Sequence, residues 1–234
     1  MMLLRSAKRA CKGGILMFCR LIFAFVLLLV GCCLSQERGG TDPKLAVPLL
    51  EGVFSKAHVS GSLAYWGQCD FHRWNPDFPR LRDSDKSGTP VEVLREIFET
   101  DPKMRVAQES DGKIRMVETD VPNDLLNVKI HHLSFHDGPM SRGPGMALIA
   151  ILKTPEVMAF RRENSIGPLF EYIGEGSFAL PGNCCGRGRS VSGELDDVTV
   201  AQALDYVLQT FPGFWLYESC QDPVRGRTAV FGFY

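Results

Sequence analysis

The sequence predicts an α+β fold: two related strand-loop-helix-hairpin halves with small mixed sheets, joined by a connecting strand and helix. Three observations carry that prediction, namely two helix-opening capping boxes, a proline stop behind each helix, and a strand-turn-strand pattern after each stop. Thr89-Pro90-Val91-Glu92 opens one helix: the Thr89 hydroxyl can accept an early amide, Glu92 can reach back, and Pro90 sits where a missing donor costs nothing. Thr199-Val200-Ala201-Gln202 repeats the device. Val91, Leu94, Ile97 and Phe98 then make one apolar stripe, and Val200, Leu204, Val207, Leu208 and Phe211 make another. The match holds at a constant offset of 110 residues, pairing Thr89 with Thr199, Leu94 with Leu204, Pro102 with Pro212 and Val106 with Leu216.

In chain order, residues 1–31 read as a signal peptide. Arg5, Lys8, Arg9 and Lys12 precede an uncharged apolar run, Leu21 to Leu34, of 14 residues. A bilayer-spanning helix needs about 20 apolar residues, so the run suits a signal-peptide core better than a permanent anchor. Met17 offers a second start, directly before the core. Leu29-Val30-Gly31-Cys32 resembles the lipobox of bacterial lipoproteins, which implies acylation of Cys32 and a membrane-held domain. Cleavage after Ser35, with Cys33 and Ser35 at the −3 and −1 sites, is a second reading, and an uncleaved anchor is a third. Each of them exports the rest of the chain, to the periplasm or to the outer membrane as a lipoprotein.

The first 31 residues hold five basic groups and no acidic one, so the remainder carries 21 basic against 27 acidic residues. That excess of negative charge argues against nucleic acid and against adhesion to anionic headgroups.

Residues 32–55 are expected to form a tether, beginning in the polar, glycine-containing stretch Gln36 to Pro43. The first α/β half spans 56–138. It starts with a strand ending Tyr65-Trp66-Gly67, continues through the Thr89 helix, and closes in a hairpin: Met104 to Glu109, a turn at Ser110-Asp111-Gly112, then Lys113 to Glu118. Leu126 to Phe135 reads as a further strand. Residues 139–168 form the helical connector, which Pro155 breaks or restarts. The second half, 169–234, opens on Tyr172-Ile173-Gly174, passes through the Thr199 helix, and ends in Phe214 to Ser219 and Thr228 to Phe233.

Val191 to Leu208, followed by Phe214-Trp215-Leu216-Tyr217-Glu218, resembles the secretin and TonB short N-terminal (STN) domain, with its short strand, V-T-x-x-x-A-L helix start and hairpin. The resemblance covers about residues 190–234. It implies a small α/β module of the bacterial periplasm that binds partner proteins as a docking part of outer-membrane channels and receptors, and not an enzyme.

Export alters the reading of the cysteines. Cys69, Cys184, Cys185 and Cys220 are disulfide candidates with three possible connectivities, of which the one joining the neighbours Cys184 and Cys185 is disfavoured by peptide geometry. The adjacent pair also lacks the gap that lets two thiolates reach one zinc ion. His131, His132 and His136 stand near Asp137, but on a strand His131 and His132 point to opposite faces, and His132 lies roughly 13 Å from His136. No metal site, cofactor or catalytic residue is therefore expected. No Gly-x-Ser-x-Gly, phosphate loop or His-Glu-x-x-His occurs.

The resulting expectation is an exported, non-enzymatic protein-interaction module of the cell envelope, associated with an outer-membrane channel or transport system. It would reach an envelope protein partner through the C-terminal edge strand, Thr228 to Phe233, and the membrane through lipid on Cys32. The alternatives are a secreted thiol- or metal-dependent hydrolase using Cys184 or the His131 to Asp137 region, and a periplasmic small-ligand carrier with a pocket between the halves.

Overall fold

The computed structural model describes residue 41 and residues 43–67, 78–84, 87–135, 143–167, 169–173, 190–222 and 226–234. Strand β1 (Gly61–Gly67) lies at the centre of a six-stranded mixed sheet. It runs parallel to β3 (Ile114–Glu118), with Leu63 beside Met116, and parallel to β7 (Phe214–Asp222), with Gly61 beside Phe214 and Gly67 beside Cys220. Beyond β3 lies antiparallel β2 (Met104–Gln108); beyond β7 lie antiparallel β8 (Gly226–Phe233) and then β5 (Leu169–Ile173), parallel to β8. The order is β2-β3-β1-β7-β8-β5.

Composition explains which strands are central. Leu63-Ala64-Tyr65 in β1 and Phe214-Trp215-Leu216-Tyr217 in β7 are buried at consecutive positions, so both faces of each strand need cover. Helices supply it on both sides. Helix α1 (Pro43–Ala57) buries Ala46, Leu50 and Phe54 at intervals of four, and α2 (Pro90–Ile97) buries Val91, Leu94 and Ile97. Both pack with Leu63, Tyr65, Ile114, Met116, Phe214 and Leu216. Phe54 stacks on Phe214 at 5.2 Å between ring centroids, a geometry that adds roughly 0.5–1.5 kcal/mol to the area buried.

On the opposite face, α3 (Pro144–Leu152) and α5 (Val200–Thr210) pack with Trp215, Tyr217, Phe231 and Phe233. Helix α4 (Pro155–Glu163) adds Val157 to the same core. Pro155 starts α4 without interrupting α3, because a missing amide is harmless in a first turn. A separate two-stranded ribbon, β4 (Lys129–Phe135) with β6 (Gly193–Thr199), adds Ile130, Leu133 and Phe135 to the same core.

Both capping boxes form. Thr89 N donates to Glu92 Oε2 at 2.9 Å and Glu92 N donates to Thr89 Oγ1 at 3.4 Å; for Thr199 and Gln202 the corresponding distances are 2.8 and 3.2 Å. The duplication extends to topology. In the first half β2 is antiparallel to β3, which is parallel to β1; in the second, β7 is antiparallel to β8, which is parallel to β5. Because β1 pairs in parallel with β7, every strand of the second half runs opposite to its counterpart. Helix α5 accordingly packs on the face opposite to α2. The second half is the first turned over about an axis lying across the strands.

The α+β class and its small mixed sheets are as expected: the two halves meet in one six-stranded sheet, and β4 with β6 forms a second, two-stranded one. Three expectations need correction. The tether assigned to residues 32–55 gives way to α1 from Pro43 onward, since the stripe Ala46, Leu50, Phe54 has a sheet face to cover. The strand expected from Leu126 begins at Lys129, since Leu125 and Leu126 are drawn into the core from a turn. The C-terminal strand is no edge either: Thr228 to Phe233 falls within β8, which lies between β7 and β5.

Candidate functional site

The β4–β6 ribbon carries the imidazoles that the sequence singled out, and it joins them to acids from a distant part of the chain. Its register sets Ile130 beside Val198, His132 beside Asp196, Leu133 beside Leu195 and Phe135 beside Gly193. Leu133 and Phe135 face the core, and so does Ile130, which a strictly alternating strand could not arrange. The pleat changes phase at His131 and Asp197. Asp197 has φ +55°, a left-handed conformation that aspartate tolerates better than most residues. His131 and His132 are consequently both exposed, which corrects the expectation of opposite faces.

Each imidazole meets a carboxylate across the ribbon. His131 Nδ1 lies 3.2 Å from Asp197 Oδ1, and His132 Nδ1 lies 2.7 Å from Asp196 Oδ1. Lys129 Nζ is 3.2 Å from the same Asp197 oxygen. The hydrogen bonds from His131 and Lys129 hold the Asp197 carboxyl below its ordinary range, and the bond to Asp196 raises the His132 imidazole above its own. Glu194 supplies a third acid on β6, opposite Ser134.

The two outer edges of the ribbon differ. Val200 N donates to Val128 O at 3.0 Å, which puts the core-facing Ile130 and Val198 in the ladder; past the phase change the core-facing Leu133 and Leu195 take that place, and the backbone of Glu194 and Asp196 turns outward. On the β4 edge the outward amide of His131 is met by Glu156 Oε1 at 3.2 Å. On the β6 edge Thr199 N is taken by Gln202 in the capping box. Among the described residues, no strand other than β4 pairs with β6. Gly193 fixes the start of that edge. Its φ is +128°, and a Cβ there would sit 2.5 Å from the Tyr206 hydroxyl oxygen, which donates to Ser192 O while the ring stacks on Phe135.

The remaining sequence candidates are dispersed. Cys32, Cys69, Cys184, Cys185, His136 and Asp137 lie outside the described residues. Cys220 is fully buried at the end of β7, is not a free thiol, and has its sulfur 3.3 Å from Thr228 Oγ1. Among the described residues no three histidine, cysteine, aspartate or glutamate side chains are grouped so as to hold a metal ion, and no helix is long and apolar enough to cross a membrane.

Two buried polar groupings escaped the sequence reading. Glu118 and Glu218 lie on the face covered by α1 and α2, at the carboxyl ends of β3 and β7; Glu118 Oε2 accepts from Trp66 N at 2.8 Å, and the Glu218 carboxylate rests over Gly67. On the opposite face Arg115 Nη1 donates to Asp205 Oδ1 at 2.8 Å and its other terminal nitrogen donates to Asp205 Oδ2, while Trp215 Nε1 donates to Asp205 Oδ1 at 2.7 Å. Burial alone would lower the pKa of Arg115, but its bonds to Asp205 and Glu109 outweigh it and the net shift is upward. The partners come from separate segments, so no spacing in the sequence signals either grouping.

No family model matches the chain, and neither does any curated protein or solved structure.

Proposed function

We propose that the chain is an exported, non-enzymatic protein-interaction module of the bacterial cell envelope that binds its partner along the outer edge of β6. The edge itself carries the reading: Glu194 and Asp196 turn their backbone donors and acceptors outward from an exposed ribbon, and strand addition uses such groups for affinity. The lipobox-like Leu29-Val30-Gly31-Cys32 supports attachment to a membrane through lipid on Cys32. A buried Cys220 that is not a free thiol fits an oxidising compartment. The STN-like pattern of residues 190–234 supports docking to an outer-membrane channel or transport system.

A photocrosslinker placed at Glu194 in the native host tests the reading. Crosslinks to one discrete envelope protein are expected in the parent and in Asp196→Asn. They should disappear in Asp196→Pro, where the lost amide is an outward one and the β4–β6 ladder is untouched. Crosslinks that persist in Asp196→Pro, with its fold verified by circular dichroism, would overturn it.

A further inference from the structure

We infer that the segment received by β6 is an extended strand alternating basic with apolar residues; this rests on the edge-binding reading above and specifies the chemistry of its partner. Position on the ribbon sets the alternation. Glu194 and Asp196 project from the solvent side, whereas Leu195 packs against the core beside Leu133, and Tyr206 lies beneath Gly193. A strand laid along this edge places every second side chain beside Glu194 and Asp196, and the intervening ones over Leu195 and Tyr206.

Charge decides the sign of the first set. Residues Gly193 to Thr199 contain Glu194, Asp196 and Asp197 and no basic residue. Lys129 and His131 engage Asp197, and His132 engages Asp196, while Glu194 has Ser134 opposite it on β4. The edge therefore presents net negative charge when the imidazoles are neutral, and lysine or arginine on an incoming strand complements it. A second copy of this chain does not fit, because pairing β6 with β6 sets acids against acids. The left-handed Asp197 limits the length, ending the regular pairing surface after Asp196.

The probe is a short peptide of alternating lysine and valine, compared with one of alternating glutamate and valine, titrated into the exported chain and followed by anisotropy and by amide chemical shifts. The lysine peptide is expected to bind at least roughly tenfold more tightly, to weaken with added salt, and to shift and protect the Asp196 amide. Glu194→Lys with Asp196→Lys should reverse the preference. Equal binding of both peptides, lysine-peptide binding that leaves the Asp196 amide unmoved, or a homodimer that Asp196→Pro abolishes would each overturn the inference. If the lysine peptide fails while the Glu194 crosslink remains sensitive to Asp196→Pro, the partner chemistry is wrong and the edge-binding reading stands. If the crosslink is insensitive, both fall.

Discussion

Replacing Asp205 by alanine should destabilise the fold by about 3 kcal/mol. Asp205 is only 7 % exposed and joins α5 to the sheet by accepting from both terminal nitrogens of Arg115 and from Trp215 Nε1. Removing one member of a buried ion pair costs roughly 3–5 kcal/mol, because the surviving charge is left in a poor solvent. Leaving an indole N–H without an acceptor costs roughly 1–3 kcal/mol, but the two losses share one side chain and do not add. Arg115 retains Glu109 at 3.0 Å, Ser62 Oγ at 3.2 Å and some solvent contact, which places the expected loss at the lower end. Asp205→Asn keeps an acceptor for Trp215 and should lose about 1–2 kcal/mol. Urea unfolding followed by tryptophan fluorescence gives both values from the midpoint at constant slope. An Asp205→Ala midpoint equivalent to a loss below about 0.5 kcal/mol, the range of ordinary surface changes, would refute the assignment of this contact as a buried clamp.

Gly67→Ala should lose roughly 1–3 kcal/mol, because its Cβ would lie 1.7 Å from Glu218 Oε1 and Glu218 is too buried to swing away; an unchanged melting temperature would show that the carboxylate moves freely. Thr89→Ala and Thr199→Ala should each cost about 1 kcal/mol, and nearly additively, since the two boxes open different helices; a chevron or equilibrium titration of the double variant checks the sum. His132 should titrate above its ordinary value of about 6.5 in a proton-detected NMR titration, and Asp196→Asn should bring it down. The sign of that linkage is definite. Its folded pKa is raised, so its contribution to stability is complete below the unfolded value and is lost as pH rises through the folded one. Asp197 behaves oppositely: its folded pKa is depressed, so its contribution is present above the unfolded value and is lost as pH falls through the folded one.

How much was legible in the sequence depends on the range of the forces involved. A capping box needs residues no more than three apart, so Thr89 with Glu92 and Thr199 with Gln202 could be placed from spacing alone. Apolar stripes and the turn at Ser110-Asp111-Gly112 are equally local, and with the 110-residue offset they determined an α+β chain built from two similar units. Strand order is not local. The pairing of Gly67 with Cys220 and the enclosure of β8 between β7 and β5 join residues far apart in sequence, and they turned the expected free C-terminal edge into an interior strand. Only the tertiary structure could decide that β6 pairs with β4 outside the six-stranded sheet, or that His131 and His132 each face an acid more than sixty residues away. Local signals determine which segments become helix or strand because their energies act within a turn; which strand is left at an edge depends on how all the apolar faces are buried together.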